Sequence, residues 1–266
     1  MNNSLLWEVT SSSGISSFVF GTMHVRNDSA FHDIEWLHNT ILSQDYYYSE
    51  MDLSSSDSEL LQQSHFLPPG MDIQQLLGDK KYEKLRRIIL KSFGVDMNQL
   101  IHFYPMIAIH ILLESSFHNS SSLILDQALY EYAKSRNKEM KYLETKEEQM
   151  GLFRNIPVEI QLKQLVQLGR NPSKVKKKYA DLCRHYSEKN TRLLYRNSLH
   201  QMGILRKPLL YNRNIKMADL LAENLLGEKA FIAVGAAHLF GKYGILRLLK
   251  HRDFSIKVAQ PSLQAY

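Results

Sequence analysis

Apolar positions cluster in short β-rich runs near both ends of the chain and recur at helical spacing through most of its middle. Strands are therefore expected at the termini and helices between them. Residues 4 to 9 and 16 to 21 are β-rich apolar runs joined by Thr10-Ser11-Ser12-Ser13-Gly14, which reads as a hairpin. Asp28 or Ser29 is placed to cap a helix carrying Phe31, Ile34, Leu37 and Ile41 on one face. Tyr46-Tyr47-Tyr48-Ser49-Glu50-Met51-Asp52 follows as an aromatic strand ending in acidic residues. Strand, helix and strand in this order make a parallel βαβ unit with a right-handed crossover.

Residues 58 to 117 are patterned as an inserted helical layer, broken at Pro68-Pro69-Gly70 and at Gly94. An αβ unit comes next: a helix from Leu123 to Ser135, a turn at Arg136-Asn137, and a strand from Glu139 to Leu143 that ends at Glu144-Thr145. Residues 146 to 226 return to helical spacing, with breaks at Pro157, Gly169 to Pro172, Gly203 to Pro208 and Gly227. The last of these helices is expected over Met217 to Leu226. A strand from Ala230 to Val234, a helix from Tyr243 to Lys250 and a strand from Ser255 to Val258 complete the chain. The expected fold is one α/β domain over residues 1–266, its mixed sheet formed by the two ends of the sequence around a helical middle.

Composition narrows the classes. The 266 residues are 44% hydrophobic and 23% charged, close to the soluble globular average, which argues against disorder and fibrous repeats. The net charge of +6 is spread out except at Lys174-Val175-Lys176-Lys177-Lys178. That run lacks interleaved arginines and aromatics, so it reads as a solvated helix face and no nucleic-acid partner is expected. The single cysteine, Cys183, excludes an intramolecular disulfide and a cysteine-rich metal site. The apolar run from Tyr104 to Leu113 is too short to cross a bilayer. No secretion signal precedes the first strand, so the chain is expected to be cytoplasmic or to have lost such a signal; the compartment and oligomeric state stay open.

Two segments stand out against this background. Phe18-Val19-Phe20-Gly21-Thr22-Met23-His24 and Ile232-Ala233-Val234-Gly235-Ala236-Ala237-His238 each run from a strand into the pattern G-x-x-H. His24, Glu50, Glu144 and His238 all fall at the carboxyl ends of expected strands, where open α/β sheets bind ligands. Two imidazoles and one carboxylate suffice to hold a catalytic divalent metal with a position left for water. In this reading His24 and His238 are ligands, and Glu50 is the third ligand or the base, with Asp52 its rival. Arg213, expected at a helix entrance, is placed to hold a substrate carboxylate or a developing oxyanion, and Asn214 to orient it or to act as the N-cap. No G-x-S-x-G elbow and no phosphate-cradling glycine loop is present.

Gly21-Thr22-Met23-His24, Ser49-Glu50-Met51-Asp52, Tyr142-Leu143-Glu144-Thr145-Lys146-Glu147-Glu148-Gln149, Arg213-Asn214 and Val234-Gly235-Ala236-Ala237-His238-Leu239-Phe240-Gly241 resemble, in the same order, the motifs of the TraB/PrgY/GumN family, which includes the TIKI proteases. The resemblance covers nearly the whole chain. It implies a fold related to the erythromycin esterase and ChaN-like group. It also implies a metal-dependent peptidase supported by manganese or cobalt, with zinc possible, acting on peptides or protein segments. His24, Glu50 and His238 match the proposed active-site positions, and Arg213, Asn214 and Glu144 match other characteristic ones. Because the family includes sequestering members, the competing expectation is a protein that binds a peptide or small ligand in the same cleft without turnover. An esterase or haem-associated role is suggested only by fold-level relatives.

Overall fold

The computed structural model of the chain describes residues 3–23, 31–54, 64–115 and 124–260. Its elements in order are β1 (Leu6–Thr10), β2 (Ser16–Thr22), α1 (Ile34–Leu42), β3 (Tyr46–Ser49), α2 (Ile73–Leu77), α3 (Asp79–Phe93), α4 (Pro105–Ser115), α5 (Leu125–Ser135) and β4 (Glu139–Tyr142). They continue with α6 (Lys146–Arg154), α7 (Val158–Arg170), α8 (Pro172–Ser187), α9 (Thr191–Met202), α10 (Asn212–Asn224), β5 (Ala230–Gly235), α11 (Ile245–Lys250) and β6 (Ser255–Val258). The chain divides into two compact units. One comprises Met1–Leu53, Ser120–Thr145 and Leu182–Tyr266; the other comprises Ser54–Asn119 and Lys146–Asp181. The stretch 146–226 thus contributes to both.

The first unit is built on a six-stranded sheet in the order β4-β3-β5-β2-β1-β6. β5 is central, and from Ala230 to Val234 every residue is buried. Pairing is parallel between β2 and β5, β5 and β3, and β3 and β4, and antiparallel between β1 and both of its neighbours. The alternation of side chains sorts two aromatic and aliphatic faces. Val19, Tyr48, Ile232 and Val234 pack with Met217 and Leu221 of α10 and Leu249 of α11. On the opposite face Tyr47 stacks on Phe231 at 5.8 Å and meets Tyr130 of α5 edge-on at 6.4 Å.

The expected βαβ unit is corrected in one respect. β2 and β3 run parallel but are not neighbours, because β5, more than two hundred residues later, lies between them. Burial explains the choice: β5 has no polar face to leave on an edge, whereas β4 carries an exposed Glu139 and Tyr142 and takes the edge. The register pairs Gly21 with Val234 and Thr22 with Gly235, which sets the two G-x-x-H segments on adjacent parallel strands. Gly21 makes this possible, since a Cβ there would lie 2.7 Å from Leu239 Cδ1 and 3.0 Å from Ala236 Cα.

The second unit is helical. Tyr82, Leu85, Ile89 and Phe93 recur at helical spacing on α3 and pack with Ile107, Ala108 and Leu112 of α4 and Leu165 and Leu168 of α7. Gly169 lets α7 approach α3, because a Cβ there would lie 2.2 Å from Leu85 Cδ1. Gln161, fully buried, joins α6 to α7 by donating from Nε2 to the carbonyls of Phe153 and Ile156 at 2.8 and 2.9 Å. Helix α3 stops at Gly94 in the left-handed conformation, as the sequence pattern predicts.

Candidate functional site

Four side chains from four elements of the sheet unit meet at the carboxyl ends of the parallel strands. Glu50 directly follows β3, Glu144 lies two residues beyond β4, His238 closes the 3₁₀ turn Ala236–His238 after β5, and Arg213 stands in the first turn of α10. Arg213 joins the two glutamates. Its Nε donates to Glu144 Oε1 at 2.7 Å, and its Nη2 donates to Glu144 Oε2 and Glu50 Oε2, both at 2.6 Å. Nη1 donates to the Leu209 carbonyl at 3.1 Å. The strand ladder adds a backbone link, with the Glu144 N–H on the Glu50 carbonyl at 2.9 Å.

The other Glu50 oxygen faces the second G-x-x-H segment. Glu50 Oε1 accepts from the Gly235 N–H at 2.7 Å and lies 3.7 Å from His238 Nε2. Burial alone pushes the Glu50 carboxyl up. The charges of His238 and Arg213, with the hydrogen bonds from Gly235 and Arg213, outweigh it and bring the group down to about 2. Burial lowers His238, Arg213 adds to that and Glu50 opposes it, leaving the imidazole at about 4 and neutral near pH 7. Burial also works against the Arg213 charge, but Glu144 and Glu50 override it and hold the guanidinium protonated.

Asn214, fully buried beside Arg213, fixes the orientation of His238. Its Nδ2 donates to the carbonyls of Tyr243 at 2.7 Å and His238 at 3.3 Å, which identifies the remaining amide atom, Oδ1, as an acceptor. His238 Nδ1 lies 2.5 Å from that oxygen and must therefore carry the ring proton. In the neutral ring the lone pair is then on Nε2, the nitrogen that faces Glu50. Hydrogen bonding of this kind on one ring nitrogen sets which nitrogen is free to ligate.

The structure alters two expectations about these residues. Arg213 is not at a helix entrance: α10 begins at Asn212 rather than Met217 and continues out of a π-helical turn, Lys207–Tyr211. The Asn212 N–H is bonded to the Lys207 carbonyl, so no row of free amides presents an anion site there. The guanidinium faces its own two glutamates. Asp52 is turned elsewhere, accepting from the Tyr130 hydroxyl at 2.7 Å, while Tyr142 lies 3.3 Å from that hydroxyl. Cys183 is buried, and burial pushes its thiol up to about 11, well above the range of a reactive thiolate.

His24 lies outside the described residues, as do Asp28 and Ser29. Among the described residues no group of three or more histidine, cysteine, aspartate or glutamate side chains is arranged to hold a metal ion, and no helix is long and apolar enough to cross a membrane. Sequence reasoning missed the Gly235 amide as a partner of Glu50. Glycine in G-x-x-H signalled a turn, but a backbone donor leaves no mark of its own in residue identity.

The sequence model of the TraB/PrgY/gumN family matches residues 5–258 of the chain. No curated protein and no solved structure matches it.

Proposed function

The chain belongs to the TraB/PrgY/gumN family, and from that premise we propose that it is a metal-dependent hydrolase acting on peptides or exposed protein segments. The observation that carries this reading is the pairing of a neutral imidazole lone pair with a carboxylate oxygen. His238 Nε2 and Glu50 Oε1 are 3.7 Å apart, close to the roughly 3.4 Å separating two donors of a tetrahedral site with bonds of about 2.1 Å. Arg213, Glu50, Glu144 and a neutral His238 sum to a charge of −1, which favours a cation. His238 and Glu50, with His24 one residue beyond the described part of its strand segment, would hold a divalent ion, for which we propose manganese or cobalt, with zinc as a further candidate. When bound, such an ion supplies Lewis acidity and acidifies a water.

Each side chain has its own task in this reading. Asn214 keeps the His238 lone pair on Nε2. Arg213 and the Gly235 amide hold Glu50 ionised and in place; a carboxylate held near 2 is a weak base, so Glu50 acts as a ligand rather than as the proton acceptor. Glu144 balances Arg213 and keeps it from withdrawing Glu50. A second reading has a specific observation in its favour. Both glutamates are already bonded to Arg213, which suits a protein that captures a peptide or small ligand without turning it over.

Calorimetric titration with manganese, cobalt and zinc tests the proposal, using the parent chain, His24→Ala, His238→Ala and Glu50→Gln. The expected result is binding by the parent and a loss of about two orders of magnitude or more in each variant, with peptide cleavage lost in parallel. Unchanged titration curves in the variants would sink it. Metal binding with no cleavage product by mass spectrometry after long incubation would favour the capture reading.

A further inference from the structure

A second site lies on the α10–α11 face of the sheet. Trp7 of β1, Leu239 and Phe240 after β5, Leu246 of α11 and Ile256 of β6 form the apolar floor of an open cavity of about 610 Å³, within the range usual for small-ligand sites. The floor is set by packing: the Trp7 ring meets Phe240 edge-on at 6.2 Å, and its Nε1 donates to the Ser4 carbonyl at 2.9 Å. Leu239 is fully buried and Phe240 is 3% exposed. The rim is basic. Lys242, Arg247, Lys250 and His251 line it, and all four are exposed.

The rim cations lack the partners that nearby charges have. Arg252 pairs with Asp219, and Lys141 with Glu228. Lys242, Arg247 and Lys250 have no acidic partner among the described residues; Lys242 lies over the Tyr243 ring, and Arg247 donates to His251 Nε2 at 3.4 Å. From Lys242 to Lys257 the chain carries five lysines and arginines against one acid, Asp253. An apolar floor inside a ring of unpaired cations is complementary to a molecule with an apolar body and an anionic head. Water can satisfy the cations but leaves the half-buried Trp7 and Ile256 side chains of the floor partly exposed, whereas an uncharged apolar ligand leaves the rim uncompensated.

We infer that this cavity binds a single-chain anionic amphiphile, an alkyl chain ending in a carboxylate or phosphate. The chain lies against Trp7, Phe240, Leu246 and Ile256, and the head is held by Lys242, Arg247 and Lys250. This inference stands apart from the metal reading, because none of those residues belongs to the Glu50 site.

Trp7 reports occupancy directly. The chain has two tryptophans, so Trp36→Phe leaves Trp7 as the only indole. Decanoate and decyl phosphate, kept below their micellar concentrations, are expected to give a saturable blue shift of its emission. Inorganic phosphate and a decyl glucoside are expected to bind at least tenfold more weakly, and added salt to weaken the charged ligands. Lys242→Glu with Arg247→Glu and Lys250→Glu changes only exposed side chains; it should keep the circular dichroism of the parent and lower affinity for both anionic probes at least tenfold. The inference is overturned if neither anionic probe saturates, if the glucoside binds equally well, or if the triple variant binds as the parent does. Concentration-dependent dimerisation lost in the triple variant, with no probe binding, would instead assign the face to a second copy of the chain.

Discussion

At the scale of single residues, the site depends on which atoms are left free. Asn214 uses three hydrogen bonds from two side-chain atoms to decide the state of one imidazole, and Gly235 uses its amide to hold a carboxylate. Gly235 has φ −54° and ψ 135°, values that alanine adopts without strain. A Cβ there would lie 3.3 Å from Glu50 Oε1 and 3.5 Å from His238 Cδ2. Gly235→Ala is therefore expected to leave stability within about 1 kcal/mol of the parent while weakening metal binding about tenfold, measured by urea unfolding and calorimetry. Arg213→Ala should differ in its effect on stability. It leaves two largely buried carboxylates facing each other without their cation, so a loss of about 3 kcal/mol in urea unfolding is expected; a loss below 1 kcal/mol would mean the clamp is not structural.

At the scale of elements, the decisive contact is between β2 and the turn that follows β5. Gly21→Ala would press a methyl group against Leu239 and the Ala236 backbone, for which a cost of about 2 kcal/mol is expected. Gly14→Ala provides the contrast: Gly14 has φ +82° and open space around its Cα, so only the backbone term of about 1 kcal/mol is expected. Thermal melts of the two variants should rank in that order, and the reverse order would show that β2 tolerates separation from β5. The elements themselves were largely legible from periodicity. β3 and β5 are runs of aromatic and aliphatic residues, and Gly94, Pro157 and Gly227 mark breaks where helices end or begin. The start of α10 was not legible. Lys207-Pro208 reads as a breaker, yet the chain passes it in a wide π turn and delivers Arg213 inside a continuous helix. The position of β5 was hidden for a different reason, since periodicity is local and strand order is not.

At the scale of the whole molecule, the site makes folding sensitive to acid. His238 at about 4 and Glu50 at about 2 both lie below their ordinary values of 6.5 and 4.5. The unfolded chain therefore binds more protons than the native one, and stability falls as pH falls. The His238 contribution is complete above pH 6.5 and is lost between 6.5 and 4; that of Glu50 is lost between about 4.5 and 2. For His238 the loss is ~3 kcal/mol. Denaturant unfolding of chelator-treated protein from pH 8 to 4 should show this slope, and His238→Gln should flatten it above pH 4.5. A parent slope unchanged in that variant would place the acid sensitivity elsewhere.

The sequence by itself determined the local events: which runs become strands, where they end, and that histidines and glutamates stand at those ends, because strand and helix periodicity and turn chemistry act over a few residues. Tertiary structure alone decided the partnerships. Glu50 meets Arg213 across 163 positions and the Gly235 amide across 185, and Arg213 meets Glu144 across 69. The His238 lone pair is placed by an amide 24 residues away. Protonation and orientation follow from the atoms within about 4 Å of a group in low dielectric, and for these residues only the packing of α10 and β5 against the strand ends supplies those atoms.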